Sequence, residues 1–163
     1  MLTKAVVRRL FDYNPVTGSL TWRISPANRV KVGDEAGTVS CGYRRVRIKN
    51  KPYLAHIIIW IWMKGRLPKR KIDHRDGNGS NNKWSNLRMA TSTENQRNTK
   101  LRKDNSSGVK GVSFHKRYGK WAAYITINKK TITIGFFDSV EAAAEARRNA
   151  ALKHFGEFAR EVA

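Results

Sequence analysis

The sequence predicts an α+β chain built as two small domains, and three observations carry that reading. The apolar run Ile57 to Met63 lies inside a helix-sized segment flanked by alternating strands. Three short alternating segments between 109 and 137 lead into an alanine-rich stretch that runs to Phe155. Between these parts, residues 99–108 are basic and then soft, ending in Asn105-Ser106-Ser107-Gly108. The expected division is a first domain over 1–98, a basic linker over 99–108 and a second domain over 109–163. The first domain divides into a scaffold, 1–52, and a chemistry-bearing core at about 53–98.

Charge narrows the function classes. The 163 residues carry 33 Lys and Arg against 12 Asp and Glu, a formal net charge of +21, with 40% hydrophobic residues. Small domains usually carry about 2–8 net charges, so the excess calls for a polyanionic partner whose counterions Lys and Arg displace. The apolar content suffices for a core and argues against wholesale disorder. The longest apolar run falls far short of the roughly 20 residues that span a bilayer, so no membrane partner is expected. The N-terminal stretch lacks the long apolar segment of a secretion signal. Cys41 is the single cysteine. No disulfide within the chain and no zinc site of the four-Cys or two-Cys type is available, and a cytoplasmic, non-secreted location is expected. Cys41 itself reads as a half-buried strand residue.

In chain order, Leu2, Val6, Val7, Leu10 and Phe11 recur at helical spacing, with Thr3 as cap. Asp12-Tyr13-Asn14-Pro15 ends that helix, because the residue before proline avoids the helical region. Thr17-Gly18 turns into a strand, Ser19 to Arg23, and 25–35 reads as a loop. Tyr43 to Ile48 alternates at period two, and Asn50-Lys51-Pro52 closes a hairpin before Tyr53-Leu54. Arg44 and Arg45 on this strand either contact phosphate or form a solvated face. Ala55 to Lys64 is a buried helix stopped by Gly65, with Trp60 and Trp62 as core. His56 is either a satisfied structural histidine or a neighbour of a metal site. Leu67 to Lys71 is a basic turn into a short strand at Ile72. Thr91 and Glu94 have capping-box spacing for a helix at about Ser92 to Arg97.

In the second domain the strands are Val109 to His115, Trp121 to Ile127 and Thr131 to Phe137, joined at Tyr118-Gly119 and Asn128-Lys129-Lys130. Asp138 and Glu141 open the alanine-rich helix as a second capping box, and Gly156 stops it.

The chemistry concentrates in Ile72-Asp73-His74-Arg75-Asp76-Gly77-Asn78, followed by Asn81-Asn82, Asn86-Leu87-Arg88 and Thr91-Ser92-Thr93-Glu94-Asn95. Phosphodiester hydrolysis needs an activated water, charge neutralisation and a stabilised leaving oxygen, and a divalent ion supplies the last two. Histidine titrates near neutrality, so His74 can take the proton from water. Asp73 and the Asn95 amide are hard oxygen donors of the kind magnesium accepts while keeping several waters. Asn86, expected on the strand after the loop, can hold the imidazole in one tautomer through its side-chain oxygen. A calcium loop starting at Asp76 fails, because Asn81 stands at the glycine position and Leu87 at the terminal Glu position. Asp76-Gly77-Asn78 is first of all a turn.

Taken together, Ile72-Asp73-His74, Asp76-Gly77-Asn78, Asn81-Asn82, Asn86-Leu87-Arg88 and Glu94-Asn95-Gln96-Arg97-Asn98 resemble the HNH endonucleases of the phage and intron-encoded homing type. Leu54 to Trp60 is similar to the segment preceding that motif. The resemblance implies a ββα-metal (His-Me finger) fold over about 53–98. It implies His74 as general base, Asn86 as the residue orienting it, and one divalent metal on Asp73 and Asn95. The metal would be Mg2+, with Mn2+ substituting and no zinc. Many relatives have His where Asn95 stands. The implied reaction is hydrolysis to 5′-phosphate and 3′-hydroxyl ends, by a monomer or weak dimer encoded by a phage or mobile element.

Gly111-Val112-Ser113-Phe114, Gly119 to Ile125 and Ile134 to Asp138 resemble the APETALA2-like (ethylene-response type) DNA-binding domain. That resemblance implies a three-stranded sheet laid in the major groove of double-stranded DNA. It implies His115, Lys116, Arg117, Tyr118, Tyr124, Thr126, Thr131 and Thr133 as the DNA-facing set, with Trp121 in the core. Several of these differ from the arginines and tryptophans of plant members, and the first turn is one residue longer. Arg75, Arg88, Lys100, Arg102 and Lys103 complete the expected phosphate contacts. The alternatives are a non-catalytic DNA-binding regulator on the same scaffold and a basic RNA-binding protein.

Overall fold

A computed structural model describes residues 2–98, 101 and 105–159. The chain forms two compact units, Met1–Ser92 and Thr93–Ala163.

The first unit opens with α1, Lys4–Leu10, whose Thr3 cap accepts from the Val6 N–H at 3.3 Å. Phe11, expected within this helix, instead opens a strand. Its φ of −133° is extended, and its ring packs 4.5 Å from that of Trp22. Burial against Trp22 outweighs one more turn of local helix. The strand, β1 (Phe11–Tyr13), pairs antiparallel with β2 (Leu20–Trp22). Between them Asn14 Oδ1 accepts from the Val16 and Thr17 N–H groups, a side-chain turn that precedes Gly18.

A three-stranded sheet follows in the order β3 (Thr38–Ser40), β4 (Tyr43–Ile48), β5 (Lys51–Leu54). Cys41 lies in the turn between β3 and β4. It is exposed, with φ +51°, and Gly42 beside it has φ +77°. Two successive positive φ values suit a tight hairpin turn, so the expectation of a half-buried strand cysteine is corrected. The hairpin expected at Asn50 forms, with Lys49 and Asn50 at positive φ.

Helix α2, Ala55–Lys64, ends where Gly65 adopts φ +76° and donates to Ile61 O. Its Ile58, Ile59 and Ile61 are fully buried, and they join Val7, Phe11, Leu20 and Val46 in one core. Trp60 is buried there too, 5.2 Å from the ring of Trp84. On this core lies the hairpin of β6 (Lys71–His74) and β7 (Leu87–Ala90), paired Ile72↔Met89, Asp73↔Arg88 and His74↔Leu87. Ile72 and Leu87 are its buried anchors. Helix α3, Ser92–Arg97, follows β7 in the chain and completes the ββα order of elements.

In the second unit, β8 (Val112–His115), β9 (Lys120–Ile127) and β10 (Lys130–Phe137) form an antiparallel sheet with β9 central. β8 starts later than the expected Val109. Ser107 Oγ engages the carbonyls of Val109 and Val112, and Gly111 has φ +77°, which holds 107–111 as a turn. Helix α4, Val140–Phe155, packs Ala143, Ala151 and Phe155 against Val112, Ala123 and Ile125. Trp121 packs on the same side, as expected of a core residue. The cap of α4 is Ser139, whose side chain accepts from the Ala142 N–H, and not Asp138, which pairs with Lys120 at 3.1 Å. No helix among the described residues is long and apolar enough to cross a membrane.

Candidate active site

The β6–β7 hairpin fixes His74, and the loop between its strands surrounds it. His74 ends β6 with its side chain buried. Its Nε2 lies 3.2 Å from Asn82 Oδ1. Asn82 is itself buried and its Nδ2 faces Ser80 O at 3.4 Å, an amide orientation that turns the oxygen toward the ring. An amide oxygen only accepts, so Nε2 carries the proton and Nδ1 is the basic nitrogen. Asn82 is anchored in turn by Tyr13, whose hydroxyl donates to the Asn82 carbonyl at 2.8 Å. Burial pushes the Tyr13 pKa up to about 12, so it stays a donor.

His56 stands edge-on to His74 with ring centroids 5.0 Å apart, and Tyr43 lies 5.8 Å from His56 and 5.9 Å from His74. His56 is buried in the fold, with its ring against that of His74. Burial, and then the charge of His74, lowers the His56 pKa to about 4. Burial also lowers that of His74, opposed by Asn82, Asp76 and Asp73. Both rings are neutral at pH 7, the form in which His74 can accept a proton.

The loop is held together by Asp76. Its carboxylate accepts from Asn78 N at 2.8 Å, Asn81 Nδ2 at 2.6 Å and Asn86 Nδ2 at 2.9 Å. Burial raises the Asp76 pKa, but these three bonds and the nearby imidazole together pull it below its ordinary value. Asn86 closes the loop. Its Oδ1 accepts from Asp76 N, its Nδ2 donates to Asn81 O, and its carbonyl accepts from Arg75 N. Asn86 ends a short 3-10 turn, Trp84–Asn86, immediately before β7, where a position on the strand was expected. Its amide braces the backbone around His74, and the contact to Nε2 comes from Asn82. Asn82 stands within the motif, but no near-neighbour signal in the sequence gives it this role. Gly79 seats the loop on the β3–β4 turn, where an added Cβ would lie 2.5 Å from Gly42 O and 2.6 Å from the Tyr43 ring.

Asp73 precedes His74 and is buried. Arg88, its partner across the hairpin, places Nε and Nη2 each 2.9 Å from Asp73 Oδ2. Arg88 is buried as well, so the expected phosphate contact gives way to an internal ion pair. Asn95 lies on α3, in the second compact unit. No group of three or more His, Cys, Asp and Glu that could hold a metal occurs among the described residues. The Asp73 carboxylate is an oxygen donor of the kind that suits magnesium, which retains much of its water.

Of the other expected DNA contacts, Arg44 is half-buried, pairs with Glu35 at 2.8 Å and donates to Gly37 O at 2.9 Å. Arg45 and Arg75 are exposed. Lys100, Arg102 and Lys103 lie outside the described residues. In the second unit, strand alternation puts Trp121, Ala123, Ile125 and Ile127 against α4. Tyr124 and Thr126 therefore face the other way, paired in register with Thr133 and Thr131, and His115 is paired with Lys120. Lys116, Arg117 and Tyr118 are exposed in the β8–β9 turn. On that face Tyr118 stacks on His115 at 4.6 Å, and the Phe136 ring abuts both.

The HNH endonuclease family matches residues 53–97. Protein 3.8 of Escherichia phage T7 is 39% identical over 106 residues, which cover 64% of this chain and 87% of the phage protein. No solved structure matches the chain. The match to most of the length of the phage protein, with the HNH region at 53–97, makes this chain an HNH-domain-containing member of the family of phage T7 protein 3.8.

Proposed function

We propose that the protein is a metal-dependent DNA endonuclease of the HNH homing type, with His74 as general base. The observation that carries this reading is the buried His74–Asn82 contact, at the end of a strand within the region matched by the HNH family. His74 is neutral at pH 7, and Asn82 leaves Nδ1 as the basic atom. In the proposed reaction Nδ1 takes a proton from water, the oxygen attacks phosphorus, and the 3′-oxygen leaves. This yields 5′-phosphate and 3′-hydroxyl ends.

By the family resemblance, Asp73 and Asn95 would hold a divalent ion, Mg2+ or Mn2+, which takes oxygen donors of these types. Bound there, the ion supplies charge neutralisation at the phosphate and at the leaving oxygen. Arg88 fixes the Asp73 carboxylate in place, and Asn86 with Asp76 fixes the backbone that carries the base. We assign the second unit to double-stranded DNA as an APETALA2-like module. The assignment draws on its three-stranded sheet backed by one helix and on the exposed Thr126, Thr131 and Thr133 face.

The test is supercoiled plasmid incubated with the purified protein, with and without magnesium, beside His74→Ala. Metal-dependent nicking that the variant loses, while duplex binding stays within about threefold, supports the reading. Equal nicking by the variant refutes the role of His74. Tight duplex binding with no cutting by either protein favours a non-catalytic regulator.

A further inference from the structure

The second unit contains a cavity of about 620 Å³ that the nuclease reading does not use. It lies beside β9, beyond the point where the shorter β8 stops pairing with it, and its lining includes parts of α3, the 109–111 segment and α4. Five lining residues are cationic, Arg97, Lys110, Lys129, Arg147 and Arg148, and none is acidic. Phe155 and Phe158 give it an aromatic side.

Arg147 is the informative member. It is half-buried, and its Nε is shielded from solvent with no hydrogen-bond partner. Native proteins rarely leave a buried charged donor unsatisfied, because its desolvation is then uncompensated. Burial also draws its pKa below the usual guanidinium value. Arg147 packs against Gly111, where an added Cβ would lie 2.7 Å from its Nε. The Arg97 guanidinium lies 4.1 Å from the centroid of the Phe155 ring, and that of Arg147 lies 5.9 Å from it. Lys110 donates to Gln96 O and Arg97 O at 3.3 and 3.1 Å, which fastens the end of α3 to this wall.

We propose that this cavity receives a phosphate group of a bound DNA strand, held by Arg147 and Arg97, with the adjoining nucleotide against Phe158. A phosphate supplies what the site lacks: negative charge and acceptor oxygens that match a guanidinium fork. The cavity is within the usual size of sites for small ligands. The proposal rests on the DNA reading above but not on cleavage, so the two can fail separately.

The test measures the affinity of the full chain for a labelled duplex against salt, in EDTA so that the DNA stays intact. Arg147→Gln should weaken binding about tenfold near physiological salt and reduce the slope of log affinity against log salt by about one. Arg147→Lys should restore part of the slope. An unchanged slope in a variant that melts like wild type overturns the proposal. If Arg147→Gln melts early, Arg148→Gln, at the exposed rim, is read in its place, and an unchanged slope there counts the same way. A parallel titration with dAMP and with inorganic phosphate, followed through the arginine Nε–H resonances, separates the sources. Saturation by dAMP with no loss of slope in the duplex assay assigns the cavity to a free nucleotide and overturns the DNA assignment. Absence of nicking leaves these outcomes unaffected.

Discussion

Asn82 Oδ1 lies 3.2 Å from His74 Nε2, with both side chains buried. The amide therefore selects the tautomer of the proposed base. Asn82→Ala frees the imidazole to populate both tautomers and to tilt. Its cleavage rate should fall by a factor short of the roughly hundred- to ten-thousandfold that a whole general base contributes. Asn82→Asp sets a carboxylate against Nε2 and favours the imidazolium, so the pH at which activity sets in should move up. Rate profiles from pH 5 to 9 read both effects. A profile that keeps its midpoint in Asn82→Asp would exclude contact between this residue and the base.

Arg88 is the second testable partner, because its two bonds to Asp73 Oδ2 replace an expected DNA contact. Arg88→Met removes both of these bonds from a buried carboxylate. Breaking such a pair costs about 3–5 kcal/mol, so the variant should unfold at distinctly lower denaturant concentration. A residue bound to phosphate would instead alter the salt slope of DNA binding at near-constant stability. Duplex titrations and urea melts on one preparation separate the two, and a changed slope with an unchanged melt would return Arg88 to the DNA surface.

These two residues mark how far the sequence could be read. Local signals were legible: Thr3 as a cap, Gly65 as a stop, the Asn50 hairpin and the buried helix α2 all follow from near-neighbour chemistry. What was not legible depends on distant partners. Phe11 becomes a strand because Trp22 covers it. Asn82, eight positions after His74, reaches the imidazole through a loop whose path is set by Asp76 and by Tyr13, far away in the chain. Arg88 looked like one more cation in a chain of charge +21 until its register against Asp73 was known. The stretch from Asp73 to Asn86 pointed to a site through its resemblance to the HNH endonucleases, and the pairing of strands decided which atoms touch.

Gly79 links the β6–β7 loop to the β3–β4 turn through steric room alone. An added methyl would fall 2.5 Å from Gly42 O and against the Tyr43 ring, the ring that also contacts His56 and His74. Gly79→Ala must therefore displace the loop, at a cost of about 1–3 kcal/mol as for other overpacked sites. Activity should fall more steeply than stability, because the displaced segment carries Asn82. Matched thermal melts and nicking rates test this, and wild-type values of both would mean that the turn yields freely.

His56 gives the fold a pH dependence whose sign follows from its lowered pKa. The folded value is about 4, against about 6.5 in the unfolded chain. Between those values the unfolded chain binds more protons, so stability rises with pH through this window. The stability tied to neutral His56 is complete above about pH 6.5 and is lost as pH falls toward 4, with roughly 3 kcal/mol at stake. The lowered pKa of His74 acts in the same direction. His56→Gln removes the titrating group while keeping a polar side chain. Urea unfolding between pH 4.5 and 7.5 should show a steep decline for the wild type and a shallower one for the variant. Parallel declines would mean that His56 reaches water in the folded protein and carries no proton-linked stability.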